Sequence, residues 1–194
     1  MPLLLTGLVV FFGIHAVPMF PDFRQGLVDK IGRGAWMALF SILSLVGLVL
    51  IGQGYRAHWA DGNLLLWQPP TWASHISLLL MLFASIAIVA AYVPSRIRDI
   101  LKHPMLVAIK IWAVAHLLAN GDLASVILFS AFLIWAIADR ISVKRRAALG
   151  PLGEKTGTLT GDIIVLGAGI ALYLAFMLWV HEWLIGVAPV TVGG

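Results

Sequence analysis

Cysteine is absent from all 194 residues. That absence excludes disulfides, thiolate metal sites and thioether attachment of a cofactor, so anything bound must be held by other side chains. Charge is scarce as well: nine acidic and thirteen basic residues make up 11% of the chain, against about a quarter in soluble domains. No charge-rich linker, low-complexity tract or internal repeat occurs. The net charge of +4 calls for no nucleic acid partner. What is abundant is apolar: 61% of residues are hydrophobic and the mean hydropathy is +0.98. Such a composition identifies an integral membrane protein.

The amino end, MPLLLTGLVVFFGIHAVPMF, lacks a basic n-region and a small-x-small cleavage site. It is expected to stay as a first span rather than leave as a signal peptide. It does not read as an Arg- and Ser-rich transit segment either, which favours a prokaryotic membrane over a plastid.

Uncharged runs mark the spans, since about 20 apolar residues cross roughly 30 Å of hydrocarbon. Six are expected, near 2–20, 35–54, 72–93, 104–120, 123–139 and 162–184. Only Asn120, Gly121 and Asp122 separate the fourth from the fifth. Gly121 in the left-handed conformation would end one helix and Asp122 would cap the next, giving a tight hairpin. Pro104 suits the first turn of the fourth helix, where its missing N–H costs nothing.

Basic residues test this division independently. Arg24, Lys30 and Arg33 fall in the first connection; Arg96, Arg98 and Lys102 in the third; and Arg140, Lys144, Arg145, Arg146 and Lys155 in the fifth. Arg56 stands alone in the second, and Lys110 lies inside a span, from which it can snorkel to the interface. Because positive residues are retained in the cytoplasm, the alternation predicts both termini on the outer, periplasmic side of a bacterial inner membrane. The fold class is thus all-α: a polytopic bundle of about six helices, forming a single transmembrane domain over 1–194. Clusters such as Arg140 to Arg146 anchor the chain against anionic lipid. Trp59, Trp67, Trp72, Trp179 and Trp183 fall near outer span ends, as an interfacial aromatic belt does.

Ionisable groups at membrane depth are expensive and default to functional hypotheses. His15 lies in the first span, and His116 lies roughly 18 Å past Pro104 in the fourth. An imidazole so placed must be hydrogen-bonded, metallated or a proton carrier. His58, His75, His103 and His181 sit in loops or near helix ends, where water can satisfy them. On the fourth helix, Ile109, Ala113, His116 and Asn120 share one stripe by spacing. Zinc wants three or four ligands, and a proton relay wants carboxylates along its path. A b-type haem needs one or two neutral imidazoles and an apolar slot. From the residues alone, haem ligation and plain helix packing both remain open.

The run HPMLVAIKIWAVAHLLANGDLASVILF, followed by WAIADR, resembles the hallmark of the NnrU family, bacterial membrane proteins associated with denitrification. The early GIHAVPMFPDFR resembles that family's first-helix histidine and following arginine, Arg24. The likeness spans nearly the whole chain. It also implies kinship with the 15-cis-zeta-carotene isomerase of plants and cyanobacteria, a membrane enzyme that carries haem b on histidines. On that likeness, His15 and His116 match the iron ligands, and His103 matches the family's histidine-proline position, which is not a ligand; Asn120 is a candidate through the stripe it shares with His116. Asp139 and Arg140 match an aspartate-arginine pair of the isomerase. Where the isomerase has a mid-helix histidine pair, this chain has Leu133, Ile134 and Trp135. It also lacks the isomerase's long amino-terminal extension, so the likeness implies haem binding more than isomerase activity.

Helix rise sets His15 and His116 about 8 Å apart in depth. Tilted helices absorb that offset; otherwise His103 or a single-ligand site takes over, with an open iron position for a ligand such as nitric oxide. Three functions follow from different classes: a haem protein of nitrogen-oxide metabolism, a haem-dependent isomerase of a hydrophobic polyene, and a lipid methyltransferase. The last is weakened because the tail offers only Glu154 and Glu182 where such enzymes place paired glutamates.

Overall fold

The computed structural model describes residues 1–60, 62, 64–148, 150 and 152–189, with the side chain of residue 60 left aside. The chain forms α1 (Pro2–Ala16), α2 (Pro21–Ile31), α3 (Arg33–Ala60), α4 (Thr71–Ala90), α5 (Arg96–Leu101), α6 (Pro104–Ala119), α7 (Leu123–Arg145), α8 (Leu159–Ala175) and α9 (His181–Ile185). A 3-10 turn, Val17–Met19, follows α1, and a π turn, Phe176–Val180, joins α8 to α9. Among the described residues there is no strand, only two isolated bridges. The all-α expectation holds.

Five segments are long and apolar enough to cross a bilayer: Pro2–Met19, Arg33–Trp59, Thr71–Ala90, Leu123–Arg145 and Leu159–Ile185. The sixth expected span, Pro104–Ala119, is shorter; its 16 residues rise about 24 Å. Their outward faces stay apolar, with Ile163 66% and Trp183 82% exposed. Those faces suit lipid, where an exposed apolar residue costs nothing.

Two connections read as loops contain helix. Pro21 starts α2 with φ already set, and Gly32 ends it at φ 83. Ser95 starts α5 by accepting a hydrogen bond from Arg98 N at 3.1 Å. The fifth span also runs on past residue 139 to Arg145. Charged side chains end a hydrophobic run without ending a helix, because Lys and Arg are good helix formers at a wet interface.

The chain divides into two compact units. The first comprises residues 1–68 and 120–143. There α1 packs along α3 through glycines that let the backbones close up. A Cβ on Gly7 would lie 2.6 Å from Ile51 N, one on Gly47 would lie 2.8 Å from Phe11 N, and one on Gly54 would collide with the backbone of Leu4. The helix α7 joins them through Tyr55 and Ser125, whose hydroxyls are 2.7 Å apart, and through Phe132 set against Phe11 and Phe12.

The turn before α7 corrects one expectation. Gly121 does not adopt the left-handed conformation. It is required for approach instead: its carbonyl accepts from Leu66 N at 2.8 Å and Trp67 N at 3.2 Å, and a Cβ there would collide with the carbonyl of Trp67. Asp122 caps α7 as expected, accepting from Ser125 N at 2.8 Å.

The second unit comprises residues 69–119 and 144–194. Within it α4 is central, packed on both α6 and α8. Ser77 Oγ reaches Ala73 O at 2.8 Å and Ala115 O at 2.7 Å, so its hydroxyl is satisfied inside the α4–α6 seam. The segment before α8 is clasped to α5. Arg98, buried, donates through Nη1 to Lys155 O and through Nη2 to Gly153 O, while Asp99 accepts from Gly157 N at 2.9 Å. Arg96 meets Asp162 at 2.7 Å but is more than half exposed.

These two arginines are expected to differ in worth. Arg98→Ala strands two carbonyls that accept from a charged donor and should cost about 2–3 kcal/mol. Arg96→Ala breaks an exposed pair and should cost below about 1 kcal/mol. Thermal unfolding of the two variants in the same detergent checks the ranking; equal midpoints would reject it.

Candidate functional site

The first unit holds His15, Arg24, Asn120, Asp139 and Arg140. On the last turn of α1, His15 Nδ1 lies 2.7 Å from Phe11 O. A carbonyl only accepts, so Nδ1 carries the proton and the lone pair is on Nε2. The ring stacks on Phe11 at 4.0 Å between centroids, with Phe40 at 5.0 Å and Trp135 edge-on at 5.8 Å. Beyond Phe40 lies a cavity of about 240 Å³ lined by Pro18, Trp36, Met37, Phe40 and Ser41. Trp135 Nε1 is buried without a hydrogen-bond partner, so one indole N–H is held ready for an acceptor in an otherwise apolar nest.

The second unit holds His103 and His116. His116 repeats the pattern of His15: Nδ1 donates to Trp112 O at 2.9 Å, one turn back along α6. What faces it was not expected. The ring of His181, at the start of α9, lies with its centroid 6.4 Å from that of His116 and its plane 22° from parallel. His181 Nδ1 donates to Val187 O at 2.7 Å, made possible by Gly186, whose φ of 87 turns the chain back at the end of α9. All three histidines therefore present Nε2 as the basic nitrogen, with the other nitrogen fixed by a backbone carbonyl. That is the arrangement metal-bound imidazoles adopt.

The remaining expected residues divide. His103 precedes α6, 13 residues before His116 and about 20 Å from it along the helix. It lines a separate cavity of about 290 Å³ with Arg98, Asp99 and Lys102. Asn120 lies one residue past the end of α6 at Ala119. Asp139 and Arg140 lie inside α7 rather than at its end. Arg24 lies on α2.

Sequence reasoning set His181 aside as an interfacial residue. The apolar run FMLWV before it carries no mark of a π turn, and partner helices are not visible in one sequence. Among the described residues there is no group of three or more His, Cys, Asp or Glu. The donor sets on offer are imidazoles in apolar surroundings, which fit a haem iron and fall short of zinc's usual three or four ligands.

Residues 3–189 match the family model described as NnrU protein. No curated protein matches the chain. No solved structure matches it either.

Proposed function

The chain belongs to the NnrU family, and we propose that it is a haem-b-binding, multi-pass protein of the bacterial inner membrane acting in nitrogen-oxide metabolism. The observation that carries the haem reading is the shared state of the apolar histidines. His15, His116 and His181 each spend the Nδ1 proton on a backbone carbonyl, which fixes the tautomer and aims the lone pair from Nε2.

When bound, haem supplies reversible one-electron chemistry and affinity for small ligands such as nitric oxide. The chain supplies the rest. His116 serves as an iron donor, its Nδ1 already held by Trp112 O. Apolar side chains around the imidazole exclude water. The crowding of Arg and Lys into alternate connections supports an orientation with both termini facing the periplasm.

Protein purified in mild detergent from haem-replete cells is expected to be red. Its Soret band should shift on dithionite reduction and again on addition of nitric oxide. A colourless preparation with no pyridine haemochrome signal would reject the haem reading. A coloured one whose spectrum ignores nitric oxide would reject the nitrogen-oxide role and leave the haem.

A further inference from the structure

We propose that the second axial imidazole is His181, not His15, so that both iron ligands come from the same compact unit. This rests on the haem reading above and goes beyond the family likeness, which draws its ligands from the first and fourth helices. Metal–Nε2 bonds of about 2 Å, with each ring centre roughly 1.1 Å behind its nitrogen, set two imidazoles that share one metal about 6.3 Å apart. His116 and His181 already stand at 6.4 Å, with planes 22° from parallel. Helix packing gives no reason for that spacing, since stacked rings in direct contact sit closer.

The backbone around His181 is a second, independent sign. Phe176–Val180 forms a π turn directly before it. A π turn adds one residue to the helix, and each residue advances about 100° around an α-helix. Without that insertion, residue 181 would point away from its present direction by about that angle. Such insertions cost helical hydrogen-bond geometry and recur at functional sites. Here the insertion selects the one face of α9 that brings an imidazole to α6. Gly186 and Val187 then fix the ring, because the left-handed turn at Gly186 returns the Val187 carbonyl to His181 Nδ1. His15 is differently employed: its ring face lies 4.0 Å from Phe11 within an aromatic cluster of the other unit.

The test uses the full chain in detergent, as wild type, His15→Ala, His181→Ala and His181→Met, followed by optical and electron paramagnetic resonance spectroscopy of the ferric protein. Near-parallel axial rings are expected to give a rhombic low-spin signal with three resolved g values in the wild type. His181→Ala should lose that signal about tenfold or more, turning high-spin, and added imidazole should restore it. His15→Ala should keep it. Where His181→Ala also loses haem, His181→Met decides: a low-spin spectrum with the far-red band of a methionine–iron bond supports the assignment, and an unchanged bis-histidine spectrum overturns it. High-spin iron in His15→Ala beside a wild-type spectrum in His181→Ala also overturns it, while leaving haem binding intact. Wild-type protein without haem removes the haem reading itself and the axial assignment with it.

Discussion

His116→Ala is expected to give a membrane protein of normal abundance that has lost its haem, with pyridine haemochrome content down about tenfold or more. The site explains why this change should exceed any other single substitution at a histidine. His116 sits in the body of α6, beside the seam where Ser77 bonds Ala115 O, so its position is fixed by packing on α4. His181 lies near the end of the helical run Leu159–Ile185, with its ring tied to Val187 by the turn at Gly186. Losing the donor in the body of α6 leaves iron with one near a helix end. The fold should survive, since Ala is a strong helix former and α6 keeps its contacts with α4. Circular dichroism of the variant tests that survival. His75→Ala, at an exposed position, is the control, and a loss of haem in both variants would point to general damage rather than ligation.

Gly54→Leu is expected to be the most damaging change to the fold. A Cβ alone at Gly54 collides with the backbone of Leu4, and Leu4 is fully buried. No rotamer relieves a clash between Cβ and main chain, so α1 and α3 would have to separate along much of their length. Overpacking of a single methylene costs about 1–3 kcal/mol where side chains can yield; here the obstacle is backbone, and the loss should reach the upper end or beyond. Limited proteolysis and thermal unfolding would show it as early cleavage and a midpoint lowered by several degrees. Gly52→Leu is the matched control, because nothing lies within 4 Å of a Cβ there. Equal behaviour of the two variants would refute the role given to the α1–α3 glycines.

Sequence and structure agree where one physical rule acts alone. The apolar runs are visible because hydrocarbon tolerates no charge, and the positions of α1, α3, α4, α6, α7 and α8 follow directly. Helix ends are less legible. Arg140 to Arg145 continue α7 since the helix does not need lipid to persist, and the α2 stretch between Pro21 and Gly32 looks like a loop when judged by hydropathy. The site is legible by half. Depth alone singles out His15 and His116, and each sets Nδ1 against the backbone carbonyl one turn back. Neither the pairing of His116 with His181 nor the nest of Phe40 and Trp135 around His15 could be read, for both depend on which helices become neighbours. A π turn in FMLWV is equally silent, because every residue there is apolar and the pattern has no phase to lose.

The interleaving of the two units has a consequence for biogenesis. α1 and α3 leave the ribosome early, yet α7 completes their unit only after α4, α5 and α6 have been made. Residues 69–119 separate the two parts, so at roughly 5–20 residues per second the first pair waits some 3–10 s for its third helix. During that interval the small-residue seam between α1 and α3 holds the pair together. An insertase or membrane chaperone that shelters nascent helices would meet this chain with the face destined for α7 uncovered, at Phe11, Phe12 and Tyr55. The glycines at 7, 47 and 54 thus serve the growing chain before they serve the finished one.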